Sequence, residues 1–342
     1  MDIAVVGAGP AGAGVCYALR ETDATVTVFE KSRGVCGRAA TRRNGDRRYD
    51  HGANYVKSGS ERVDEIVTER LPTDGLADIE EPVWTFDESG TITEGEDRDG
   101  RKWTYEEGIT QVAKRLFAET DATVDLETRV GRLSHSGRWR VIDEEGEDLG
   151  TYDAVVLTPP APQTGDILAA TEWADSPLVD LEAVLESVPY RSIYSVILGY
   201  DFEIETPWYG LVNPDREHAI GWLSREELKP GHVPDGESLL VVQMSPDWTD
   251  ARFDDPKSEV VDEAAALTAE LLDDQRLADP EWTDTQRWRY ALPNDGVDTD
   301  LLREAEEDGL YFAGDWMVGD GRVHLALENG LDVGDRLAKN SD

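Results

Sequence analysis

The run DIAVVGAGPAG at residues 2–12 sets the tightest limit on what this chain can become. A short β-rich run, DIAVV, leads into Gly7, Gly9 and Gly12, spaced G-x-G-x-x-G, with Pro10 and Ala11 between the last two. A helical pattern continues to Leu19, and a second β-rich run, ATVTVFE, covers residues 24–30. Strand, glycine turn, helix and strand within about thirty residues make a βαβ unit. The first glycine permits a tight turn, the second lets backbone approach a pyrophosphate, and the third lets helix pack on strand. The helix N-terminus aims partial positive charge at the same point. Glu30 stands at the tip of the second strand, 18 residues after Gly12, where a carboxylate can accept hydrogen bonds from ribose hydroxyls. The expected class is therefore α/β, with a Rossmann-like nucleotide domain.

A second glycine-aspartate segment, GDWMVGDGRVHLALENG, occupies residues 314–330. Its distance from the first is explained if the two ends of the chain grip opposite ends of one long cofactor. Between them the patterning predicts a helix over 60–71, a hairpin at VWTFDESGTITEG and an amphipathic helix at YEEGITQVAKRLFAET. Strands are expected at ATVDL, RVGRLS, RWRVID and YDAVVL, the last returning to the nucleotide fold. Helices are expected over 175–187 and 258–273. SIYSVILGY, AIGWLS, SLLVVQMS and TQRWRYALP read as strands of a second sheet, GLYFAGDW as a buried strand, and 323–338 as the last helix. This assigns 1–75, 106–170 and 295–342 to the nucleotide domain. Residues 76–105 and 171–294 form an inserted substrate domain with a mixed or antiparallel sheet.

Charge narrows the partners. The chain carries 33 basic and 73 acidic residues, a net −40, and only seven of the bases are lysines. Such a surface repels nucleic acid and anionic membranes. The acids are dispersed rather than gathered in one tail, a pattern expected of adaptation to very high salt. No apolar run approaches the roughly 20 residues of a membrane span. The N-terminus has no basic start or cleavable apolar segment, so the expected location is the cytoplasm. Cys16 and Cys36 are expected to be free thiols. The histidines (His51, His135, His218, His232, His324) lack ligand spacing, and no metal site is expected. Oligomeric state is left open.

Several separated blocks carry a resemblance: KSRGVCGRAATRR followed by DHGANYV, then VVLTPPAPQ, GWLSREELKPG, VVQMSPDWT, QRWRYALP and YFAGDWMVGDGRV. In this order they resemble the renalase-like FAD-dependent oxidoreductases of the flavin amine oxidase superfamily. The resemblance implies a two-domain amine oxidase-like fold and hydride transfer to FAD, with the reduced flavin reoxidised by O2 to give hydrogen peroxide. It also implies a substrate such as an isomeric dihydronicotinamide dinucleotide. A flavin amine oxidase or desaturase is the alternative within the fold, and a non-catalytic binding protein the alternative outside enzymes. Three departures stand out. Cys36-Gly37 replaces a glycine pair, Gln243 stands where relatives carry a histidine facing the substrate, and Gly-Arg-Val falls one residue late.

The implied cofactor contacts are Gly7, Gly9, Pro10, Ala11, Gly12, Glu30, Lys31, Arg33, Gly37, Arg38, Gly52, Ala53, Asn54, Val130, Thr158, Gly314, Asp315, Arg322, Val323 and His324. Arg38 is expected near the pyrophosphate or the flavin, and Asp315 at a ribityl hydroxyl. The amides of Val323 and His324 would face the flavin edge where negative charge gathers on reduction. With no cysteine after Cys36, FAD is expected to be noncovalent. Tyr55, Trp222, Gln243, Trp288 and Tyr290 are the expected substrate wall. No side chain is assigned a catalytic role, because a flavin carries the electron chemistry itself.

Overall fold

The computed structural model describes residues 1–95, 100–174 and 177–341. Residues 96–99, within the expected substrate-domain segment 76–105, lie outside the described residues, as do 175–176, the expected start of a helix, and Asp342. The βαβ opening forms as the glycine pattern requires: strand Asp2–Val6, helix Pro10–Leu19, strand Thr25–Phe29. Pro10 sits at the first helical turn, where its missing N–H costs nothing. These two strands belong to a five-stranded parallel sheet, in the order 123–125, 25–29, 2–6, 154–157, 310–312. Residues from both ends of the chain are thus neighbours in one sheet. Val6 is in register with Phe29 and Leu157, and Leu157 with Phe312. The loops at Gly7, Glu30, Thr158 and Ala313 therefore leave the sheet at one level, along its carboxyl edge, where open α/β sheets bind ligands.

The last helix, Val323–Ser341, packs on the first. Their approach is close because glycine stands at the crossing: a Cβ on Gly330 would strike the Ala11 carbonyl.

A seven-stranded mixed sheet forms the second layer, in the order 282–293, 190–200, 238–244, 220–225, 210–212, 83–86, 92–93. Only the pairing of Gly210–Val212 with Val83–Phe86 is parallel. Tyr194, Val196, Leu198, Leu240 and Val242 alternate onto one face and bury against the helix Lys257–Leu271. The period-two pattern of SIYSVILGY and SLLVVQMS thereby becomes a core.

Some elements differ from expectation. The amphipathic helix starts at Gln111 rather than Tyr105, because Lys102–Tyr105 pairs as a strand. The strands around 130–152 form a separate four-stranded sheet with Glu172–Trp173 and do not extend the parallel one. The basic loop after Glu30 contains a hairpin, Thr41–Asn44 with Arg47–Asp50, turning at Gly45. The buried strand before GDW ends at Phe312, and Asp315–Val318 forms a short helix. No helix among the described residues is long and apolar enough to cross a membrane.

Candidate active site

At the carboxyl edge, Gly7 holds φ 103°, a left-handed value that favours glycine, and its N–H donates to the Phe29 carbonyl at 2.8 Å. Glu30 is only 5% exposed. The Ala8 and Ser32 amides donate to its two carboxylate oxygens, each at 2.8 Å. A carboxylate has about four acceptor positions, so Glu30 can hold this turn and still accept from a ligand hydroxyl. Cys36 takes φ 82° and Gly37 φ 51° in the following turn. Cys36 therefore adopts a left-handed conformation that a glycine would accept without steric cost. Both cysteines are free and buried. Desolvation pushes each thiol up to about 12, away from thiolate chemistry.

Arg38 and Asp315 meet. The Arg38 Nη2 donates to Asp315 Oδ1 at 2.7 Å, and Nη1 donates to the Ala291 carbonyl at 2.9 Å. One guanidinium thus ties the N-terminal loop, the seven-stranded sheet and the C-terminal segment together. Gly314 is fixed by its N–H to Asn329 Oδ1 at 2.9 Å. The last helix makes its first intrahelical bond from Ala326 to the Arg322 carbonyl at 3.0 Å. The Val323 and His324 amides precede it and belong to the donor-rich end of the helix. His324 is 6% exposed, and its Nδ1 is buried without a hydrogen-bond partner. Burial, reinforced by Arg322, pushes its pKa down and favours the neutral ring.

The opposite wall belongs to the seven-stranded sheet. The segment 51–54 hangs from it by three bonds. Gln243 Nε2 donates to the Gly52 carbonyl at 2.6 Å, Trp288 Nε1 to the His51 carbonyl at 3.0 Å, and Ser224 Oγ to Asn54 Oδ1 at 3.1 Å. Tyr55 and Trp222 lie 6.3 Å apart, and Tyr190 and Tyr290 5.6 Å. Gln243 is thus partly a support for the loop across from it.

Two features escaped the sequence. His51 stacks on Trp288 at 5.4 Å and is buried, which with nearby Arg42 lowers its pKa to about 4. Its place beside Gly52 was the only signal. Behind the loop, four ionisable side chains are fully buried: Asp50, Glu226, Lys229 and His232. Lys229 Nζ lies 2.8 Å from Asp50 and 2.7 Å from Glu226. His232 sits between Glu226 at 3.0 Å and the Tyr105 carbonyl at 3.0 Å. Asp50, Glu226 and His232 together have the donor types of a metal site. Here the Lys229 ammonium supplies the positive charge between the carboxylates. Burial alone would raise the Asp50 pKa, and the Lys229 ammonium leads the groups that more than reverse that, so the carboxyl lies below its ordinary value. These residues are far apart in sequence, so spacing could not announce them.

The nucleotide-binding turn, the start of the last helix and the wall of the seven-stranded sheet open on one cavity of about 2830 Å³, which the buried charge cluster does not line. Every expected cofactor and substrate residue lines it except Gly12. Gly12 turns inward, where a Cβ would strike the Gly7 carbonyl, so of the two tasks expected of it, helix–strand packing holds and direct lining of the cavity does not. The cavity exceeds the roughly 300–1,000 Å³ of an ordinary small-molecule pocket. It therefore has room for a dinucleotide and a second molecule.

Fold and cavity together define a two-layer dinucleotide-cofactor protein. Residues 5–69 match the NAD(P)-binding Rossmann-like domain, and residues 86–338 match the family described as flavin containing amine oxidoreductase. The chain belongs to that family and is an FAD-dependent oxidoreductase. Similar solved structures include cyclohexylamine oxidase from Brevibacterium oxydans IH-35A, at TM-score 0.74 and 14% identity over 99% of both chains. Wild-type putrescine oxidase bound to putrescine gives 0.74 and 14%, over 99% of this chain and 98% of that one. Reduced UDP-galactopyranose mutase gives 0.77 and 12%, over 99% and 96%. At such identities the likeness shows the fold alone.

Proposed function

We propose that this protein is a renalase-like oxidase that holds one noncovalent FAD and oxidises an isomeric dihydronicotinamide dinucleotide. The observation that carries the reading is the joining of the two half-motifs across one cavity by Arg38 and Asp315. The adenosine end of FAD fits the Gly7–Gly12 turn. Gly9 has no atom within 4 Å of where a Cβ would stand, and Glu30 retains acceptor positions. The flavin end fits the donor-rich start of the last helix, with the unpartnered Nδ1 of His324 beside it. Two buried thiols with raised pKa values suit noncovalent binding.

When bound, FAD supplies the two-electron acceptor for a hydride from a substrate carbon, with O2 as final oxidant yielding hydrogen peroxide. The chain's own residues position the reactants. Trp222, Trp288, Tyr55 and Tyr290 offer a slot for a planar ring, and the Val323 and His324 amides stabilise negative charge at their helix end. An amine is the second reading, favoured by the family match itself. The charge of −40 supports a protein of high-salt surroundings without nucleic-acid or membrane partners.

The test is anaerobic flavin reduction by a panel of dihydronicotinamide isomers and amines, followed by peroxide detection on admitting air. Reduction by amines alone moves the assignment to the second reading, and no reduction by either removes both. Acid precipitation should release the flavin to the supernatant. Melting temperature and flavin retention should both rise from low to molar salt, as the Debye length falls from about 10 Å to about 3 Å. A flat melting curve with FAD bound counts against salt adaptation alone.

A further inference from the structure

The cavity reverses the charge of the molecule. Among its described lining residues are fourteen arginines and lysines against nine aspartates and glutamates, in a chain of 33 bases and 73 acids. Part of this excess lies beside the nucleotide-binding turn, at Lys31, Arg33 and Arg129. Another part lies at the other end, where Arg191, Arg216 and Arg322 converge from three separate elements. Arg191 is on the strand Tyr190–Tyr200, Arg216 on the loop between Gly210–Val212 and Ile220–Arg225, and Arg322 just before the last helix.

The counter-charge is thin. Arg322 pairs with Asp320 at 3.1 Å. Among the described residues, no carboxylate forms an ion pair with Arg191 or Arg216. The Arg191 Nε is buried and has no hydrogen-bond partner. Burial and the like charges of Arg216 and Arg322 push the Arg191 pKa below its ordinary value, with Asp320 opposing them. Like charges held together with an unmet buried donor cost free energy unless an anion completes them. Elsewhere acids are abundant and pair readily with arginine, as Arg62 does with Asp332 and Asp335.

We propose that Arg191, Arg216 and Arg322 form a phosphate-binding subsite at the cavity mouth that holds the substrate's phosphate groups while its ring lies in the aromatic slot. Arg216 and Arg322 are exposed, which places the subsite at the rim. Guanidinium forks suit phosphate because two N–H groups meet two oxygens in contact. Contact of that kind persists in salt that screens longer-range attraction. The inference rests on the proposed substrate class only for the owner of the phosphate; the anion site stands on the arginines themselves.

The experiment uses the holoenzyme and its Arg191→Gln and Arg216→Gln variants, the second on an exposed loop where folding is least at risk. ADP and adenosine are the binding probes, followed by perturbation of the bound flavin's absorbance. ADP should bind the wild type, and about tenfold less tightly either variant, with adenosine weak throughout. In parallel, kcat/KM for flavin reduction is compared between a dihydronicotinamide dinucleotide and the corresponding phosphate-free riboside. The ratio of the two should fall about tenfold in each variant. An unchanged ratio together with ADP affinity equal in wild type and variants overturns the subsite. ADP binding that depends on the arginines, in a protein whose flavin no dihydronicotinamide reduces, keeps the subsite and removes the proposed substrate.

Discussion

The two walls of the cavity are made of different material. Along the parallel sheet the contact surface is largely main chain: the Gly7–Gly9 turn, the Ala8 and Ser32 amides held by Glu30, and the start of the last helix. Along the seven-stranded sheet it is side chain: Trp222, Gln243, Trp288 and Tyr290. A surface made of backbone tolerates almost no change where backbone must pass closely. A surface made of side chains can be altered one group at a time without disturbing the strands that carry it.

The most damaging test of that contrast is Gly12→Val. The added atoms strike the Gly7 carbonyl, which no rotamer can avoid because the obstacle is main chain. The first helix must move off the sheet, and the purified protein should lack visible flavin absorbance. Normal flavin content would mean that the turn is far softer than its geometry implies.

On the opposite side the largest effect should come from behind the wall. Lys229→Met removes the ammonium that lies between the buried Asp50 and Glu226 carboxylates. Breaking a buried ion pair from one side costs about 3–5 kcal/mol. Chemical denaturation should register that loss. The flavin-to-protein ratio of the fraction that still folds should stay near wild type, since Lys229 does not line the cavity. A folded variant with depleted flavin would erase the distinction between the two walls.

The same difference in material explains what could be read from sequence. Main-chain sites need glycine at fixed offsets, and a fixed offset is visible in a string of letters; hence the opening βαβ unit and the strand DAVVL fell where expected. The same offset gave the third glycine its packing role, and Gly12 fills it against the Gly7 carbonyl. Side-chain sites carry no such mark. Trp222 and Gln243 lie on strands whose alternation reads equally well as core, and only the resemblance singled them out. His51, Asp50, Lys229 and Arg191 were invisible because their partners are distant in sequence. The short helix Asp315–Val318 was missed because four residues carry no period.

A smaller effect, on pH, probes the loop between the walls. His51 has an ordinary pKa of 6.5, lowered to about 4 by burial and then by Arg42. Above pH 6.5 the ring is neutral in folded and unfolded chains alike. Between 6.5 and about 4 the unfolded chain takes up a proton that the folded one refuses. Stability therefore falls as pH falls through this window, by at most about 3 kcal/mol from this group. His324 and the paired carboxylates add to the acid loss, so the informative quantity is a difference. The stability of His51→Asn should fall less between pH 7 and pH 4.5 than that of the wild type. Parallel curves for the two proteins would place the His51 ring in a more solvated setting than its stacking on Trp288 implies.

The smallest effect separates folding from recognition at one atom. Trp222 Nε1 is buried and has no hydrogen-bond partner, which is unfavourable for a donor unless a ligand meets it. Trp222→Phe removes that N–H and keeps an aromatic ring between Tyr55 and Tyr209. The loss of ring area is offset by the removal of an unmet donor, so unfolding free energy should change by less than about 1 kcal/mol. Flavin content should not change, because no main-chain contact is touched. Substrate recognition should change: one lost hydrogen bond of about 1 kcal/mol corresponds to roughly a fivefold rise in KM with kcat nearly constant. A fall in kcat at constant KM would mean that the indole N–H acts on the reacting atoms and not on substrate binding. The seven-stranded wall would then take part in the chemistry that the contrast assigns to the cofactor side.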